Sequence, residues 1–265
     1  MSTTVAPIRA KVTRAEQHIE DFGLRARAFY DNKPYVIRFQ EYPATRQRIY
    51  YLASVQDVPL NVASIAADAL QNLRAPLDHI AYQLERKGCG GAKPRQKVYF
   101  PIADSAAEYK PLRDRYIKRA GQAAIEAIDA TEPYRDGKGH ALWQLHALNK
   151  PDKHHLQLEA GAYFRSVDMG SVLRRTLRAT PGWPGPADFP GGLFIRPQDV
   201  HLPLKLGDPL MSESMDLEVD ENLEFRFDIS FNEPGIIEPE PVLETLQNMA
   251  NLIGALIDVF EPLLP

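Results

Sequence analysis

The sequence predicts an α+β protein: a mainly helical bundle of about four long helices with a small antiparallel β-sheet or hairpin. Three features of the chain point there. Long stretches repeat apolar residues every three or four positions, as helices with one buried face do. Two runs rich in β-forming residues flank a short Pro-Ala-Thr segment, as in a hairpin. Later segments alternate apolar and polar residues in the manner of half-buried strands. We read 1–265 as a single α+β domain, with helical core at 7–31, 60–87, 105–158 and 241–264 and β elements within 34–56 and 161–231.

In chain order, Ile8, Val12, Ala15, Ile19, Phe22, Ala26 and Phe29 mark a first helix over 7–31, slightly weakened by Gly23. Hairpin strands follow at 35–42 and 48–55, around Pro43, Ala44 and Thr45. Pro59 introduces the most regular helix of the chain. Its stripe is Val62, Ile65, Ala66, Ala69, Leu70, Leu73, Leu77, Ile80 and Leu84, with Pro76 in the middle. Proline cannot donate to the Asn72 carbonyl and its ring crowds that turn, which predicts a kink costing ~3 kcal/mol uncompensated.

After Gly88, Cys89, Gly90 and Gly91, a short strand is predicted at 98–102. Ser105 and Glu108 have the spacing of a capping box, and Pro111 predicts a restart of a helix that runs to Asp129. A further helix covers 140–155, with Pro151 ending or kinking it near Asn149. Strands are expected at 161–167, more loosely at 193–206, and at 223–231, while 181–192 is too rich in proline and glycine for regular structure. The last helix, over 241–264, carries Leu243, Leu246, Met249, Ala250, Ile253, Leu256, Ile257 and Phe260 on one face.

A hydrophobic content of 44% and a charged content of 25% are ordinary for a soluble globular protein. No apolar run approaches the ~20 residues of a membrane span, and the first residues lack the order of a secretory signal. A cytoplasmic location and no membrane partner are expected. Cys89 is the only cysteine, which excludes an intramolecular disulfide and a cysteine-based metal site. The net charge of −4 hides an asymmetry, since 212–265 holds 13 acids and one base, leaving the preceding 211 residues at +8. Either the basic part meets a polyanion, or the acidic end folds back and compensates it. The second is better supported, because no basic run interleaved with aromatics accompanies the charge.

Two polar stretches stand out. Asn72, Arg74, Asp78 and His79 lie on the central helix; His146, Asn149, Asp152, Lys153, His154 and His155 lie on and after the helix that starts at His140. On a helical wheel Asn72 and His79 share one shoulder of the stripe, and Arg74 and Asp78 share the other. Arg74 and Asp78 are four apart and can pair, whereas His79 sits roughly 140° from Arg74. Trp143 reads as core, Trp183 as a loop residue suited to a partner contact, and His18, His140 and His201 as surface or loop residues.

The segments DALQNLRAPLDHIAYQL at 68–84, FPI at 100–102, LWQLHALNKPDKHHL at 142–156, and FDISF followed by EPVLETL resemble a family of uncharacterised bacterial proteins. Patterns such as ALxNLRSALDHLAxxL and LHxLNxxDKHR are expected there, in the same order. The resemblance spans 8–262 and marks Asn72, Leu73, Arg74, Leu77, Asp78 and His79, then Leu148, Asn149, Asp152, Lys153 and His154. The chain departs at Pro76, where a small residue is usual, and at His155, where arginine is usual. Arg74 and His79, with four residues between them, also resemble the Arg-to-His signature of HEPN-type helical ribonuclease domains.

Three functions follow as expectations, with Arg74, Asp78, His79, Asp152, Lys153 and His154 as the candidate site. The first is a binding or scaffold module, pairing with a second copy through its helices, in which the polar residues form a buried network and no cofactor is held. The second is metal-independent RNA cleavage, with His79 as general base or acid, Arg74 stabilising phosphate charge, Asp78 orienting one of them, and Lys153 or His154 adding positive charge. The third is a metal site drawn from Asp78, His79, His146, Asp152, His154 and His155, although no HExxH or ExxH element is present.

Overall fold

The computed structural model describes residues 4–94, 97–154, 160–182, 193–195, 202–220 and 223–265, with the backbone alone at 151–154 and no side chain at 195. Its helices are α1 (Val5–Asp31), α2 (Leu60–Gly88), α3 (Ala106–Ile117), α4 (Gln122–Asp129), α5 (His140–His154), α6 (Met169–Ala179) and α7 (Val242–Phe260). Its strands are β1 (Tyr35–Tyr42), β2 (Gln47–Val55), β3 (Ala160–Asp168), β4 (Phe194–Ile195), β5 (Pro209–Ser214) and β6 (Phe225–Phe231). The protein is therefore α+β. The chain divides into two compact units, one built from Met1–Arg25, Pro59–Glu159 and Glu233–Pro265, the other from Ala26–Val58 and Ala160–Asn232.

The first unit is helical, and α2 is its hub, packing against α3, α5 and α7. Leu70, Leu73, Leu77, Ile80 and Leu84 are fully buried along its stripe. Ala63, Ala66, Ala67, Ala69 and Ala81 are buried beside them and let neighbouring backbones come close. Pro76 is buried inside a helix that continues to Gly88. The expected break at Pro111 is displaced. Pro111 lies within α3, and the interruption falls at 118–121, where Gly121 adopts φ 89° ahead of α4. That left-handed conformation is cheap only for glycine, so the glycine and not the proline sets the break. Ser105 caps α3, its Oγ accepting from the Glu108 amide at 3.3 Å. Pro151 does not end α5, whose backbone stays helical to His154. The strand expected at 98–102 does not form: the segment carries no regular secondary structure and joins neither sheet.

The second unit holds two three-stranded antiparallel sheets, ordered β1-β2-β5 and β4-β3-β6. β1 and β2 form the expected hairpin, with Tyr42 opposite Gln47 and Arg46 at φ 52° closing the turn. β5 and α6 have no counterpart in the sequence-based expectation. Of the loose strand expected over 193–206, only β4 forms among the described residues. Leu52 and Leu210 from one sheet and Phe164 and Val167 from the other bury together with Leu204. Ring contacts of 4.7 Å between Tyr35 and Phe227 and 5.7 Å between Tyr50 and Phe225 join the two sheets. Such aromatic pairs add to the area they remove from water.

Candidate functional site

Arg74 leaves the shoulder of the α2 stripe and is only 5% exposed. A guanidinium taken out of water costs several kcal/mol unless its donors are matched, and three acceptors surround this one. Nη1 donates to Asp78 Oδ1 at 2.7 Å, Nε to His146 Nδ1 at 3.3 Å, and Nη2 to the Phe100 carbonyl at 3.4 Å. Accepting at Nδ1 places the proton of neutral His146 on Nε2. Asp78 Oδ1 takes a second donor, the Phe100 amide, at 2.9 Å. The Phe100 ring is 1% exposed and packs edge-on against Phe260 of α7, with centroids 6.1 Å apart. One arginine and one carboxylate thus fasten α2 to α5 and to both backbone groups of Phe100.

His79 is exposed, on the other shoulder of the stripe from Arg74. Asn72 turns back along α2 and donates to the Asp68 carbonyl at 2.8 Å. Asp152, Lys153 and His154 are on the last turn of α5 and their side chains fall outside the described residues, as do His155, Trp183 and His201 altogether. Asn149, one turn before, is 4% exposed and its Oδ1 has no hydrogen-bond partner among the described residues. Among the described residues, no group of three or more His, Cys, Asp or Glu is placed to hold a metal. Trp143 is core, its Nε1 donating to Asp104 at 2.7 Å under the Arg135 guanidinium.

Sequence reasoning missed two parts of this arrangement. His146 entered only as a metal ligand, yet it is the second side-chain partner of Arg74. Phe100 acts through its backbone, which no residue pattern encodes. Glu85 was missed as well: it is fully buried at the end of α2, and its carboxylate holds the Arg119 amide at 2.8 Å and the guanidinium at 3.2 Å.

The acidic end of the chain meets arginines from the basic part. Arg9 pairs with Asp258 at 2.7 Å and Glu261 at 2.8 Å in the first unit. In the second, buried Glu213 accepts from Arg48 at 2.8 Å, Arg175 at 2.9 Å and the Tyr50 hydroxyl at 2.8 Å. Burial first, and then this bond to Glu213, push the Tyr50 hydroxyl up to about 12. No family model matches the chain, and neither does any curated protein or solved structure.

Proposed function

We propose that the protein is a binding or scaffold module built on a bundle of long helices, with the Arg74–Asp78 cluster as its internal fastening. One observation carries this: Asp78 Oδ1 is shared between Arg74 and the Phe100 amide, while Arg74 also reaches the Phe100 carbonyl. The polar groups are turned toward one another and toward backbone, and Arg74 is buried. A residue that stabilises a phosphate needs donors pointing at the ligand, and here Nε, Nη1 and Nη2 of Arg74 each already donate within the protein.

The test pairs a stability measurement with an activity measurement. Wild type, Asp78→Ala and His79→Ala are incubated with single-stranded and structured RNA without added metal, and each is unfolded thermally. The module predicts intact RNA throughout, a lower Tm for Asp78→Ala and an unchanged Tm for His79→Ala. Cleavage that disappears with His79 would replace this function with metal-independent RNA hydrolysis.

A further inference from the structure

The segment fastened by Asp78 does more than cross the helices. Phe100 is its buried anchor, and Tyr99, the residue before it, is 42% exposed. On α3 the same arrangement recurs, with Ile117 fully buried and Tyr116 beside it facing a cleft of about 460 Å³. Lys97, Tyr99, Arg115 and Tyr116 line that cleft. The two tyrosine rings meet edge to face, with centroids 5.3 Å apart. An edge-to-face pair uses one ring face of the two, so flat aromatic surface remains for a planar ligand.

Two arginines near the cleft are already paired. Arg113 is held by Asp114 and Asp129, and Arg119 by Glu85. Lys97 and Arg115 have no carboxylate partner among the described residues, although the chain pairs so many of its other arginines. Asp114, the carboxylate next to Arg115 in sequence, is already engaged by Arg113 at 2.7 Å. Two cations without a carboxylate partner among the described residues stand beside the exposed Tyr99 ring and the half-buried Tyr116 ring, each ring next to a buried neighbour, and offer a stacking face with an anion subsite.

We propose that this cleft binds a nucleotide unit, its base stacked on the exposed Tyr99 ring and its phosphate between Lys97 and Arg115. The ligand is either a free nucleotide or one unit of single-stranded RNA, since both present a base and a phosphate. This rests on the binding-module function and deepens it.

Calorimetric titration of the whole chain with adenosine monophosphate, inorganic phosphate and a single-stranded RNA of about 10 nucleotides tests it. Tyr99→Ala is expected to weaken the nucleotide and the oligomer by about 5- to 150-fold and to leave inorganic phosphate unaffected. Lys97→Gln combined with Arg115→Gln weakens all three and flattens the log–log salt dependence of oligomer binding by about 0.7, as the loss of one neutralised phosphate on a single strand requires. Thermal melting of each variant confirms that it is folded. Adenosine monophosphate bound as tightly as the oligomer assigns the free nucleotide, and tighter oligomer binding assigns RNA. Absence of wild-type binding to both, or binding indifferent to Tyr99→Ala in a folded variant, overturns the proposal. The two functions fail separately: His79-dependent cleavage of the oligomer removes the module and leaves the cleft, whereas an empty cleft leaves the module.

Discussion

At the scale of single residues, the fate of Arg74 follows from what surrounds it. A buried guanidinium keeps its charge, so removing its carboxylate strands a cation and frees the Phe100 amide at the same time. Asp78→Ala should therefore lower unfolding free energy by about 2–3 kcal/mol in urea titrations, the low end reflecting a side chain one-third exposed. Asp78→Asn retains an acceptor and should cost roughly half as much. His79→Ala, at an exposed position, should fall within about 0.5 kcal/mol of wild type. Equal losses at 78 and 79 would contradict the network described above. The Arg74–Asp78 pair was legible because four residues along a helix is one turn. His146 is 72 positions from Arg74, and only the packing of α2 against α5 brings it there.

At the scale of elements, two helical glycines separate packing from propensity. A Cβ at Gly88 would collide with the Arg119 carbonyl, because the end of α2 passes directly against the link between α3 and α4. Gly88→Ala should cost about 3 kcal/mol or more by forcing those backbones apart. Gly254, inside α7, has nothing within 4 Å of a Cβ built on it. Gly254→Ala should gain about 1 kcal/mol from helix propensity alone. Denaturant midpoints moving in opposite directions would confirm both. The same contrast explains the helix boundaries. Periodicity locates α1, α2 and α7 to within a few residues, because a stripe is a local pattern. Pro111, read as a restart, and Pro151, read as an end or a kink, sit inside helices, and the interruption between α3 and α4 carries a glycine whose backbone conformation leaves no mark on periodicity.

At the scale of the whole molecule, charge and burial set the alkaline limit of the fold. Burial is the first cause that raises the Tyr30, Tyr35 and Tyr109 hydroxyls well above the ordinary phenol range, and it carries Tyr50 to about 12. The folded chain holds these protons more tightly than the unfolded chain, which releases them near pH 10. Their contribution to stability is thus complete below about pH 10 and falls progressively as pH rises from there, for Tyr50 being lost through about 12. Tyrosinate absorbance and circular dichroism followed together should show these hydroxyls ionising with unfolding. Ordinary titration of every tyrosine in a native spectrum would refute the burial. The charge asymmetry resolves at this scale too, as acids after 212 pair with arginines of the preceding chain in both units.

The sequence by itself determined what depends on neighbours along the chain. It placed the amphipathic helices, the hairpin around Pro43, the Ser105 cap and the i,i+4 pair of Arg74 and Asp78, since each is written in residues a few positions apart. Tertiary structure decided the rest. It divided the chain into two units, added β5 to the hairpin, buried Glu85 and gave Arg74 its partners in His146 and Phe100. It also interleaved basic and aromatic residues that no single run contains, by bringing Lys97 and Tyr99 beside Arg115 and Tyr116. The physical reason is common to all of these. Local periodicity fixes which face of an element avoids water, while the pairing of faces is settled by where buried charges and backbone groups find partners far away in sequence.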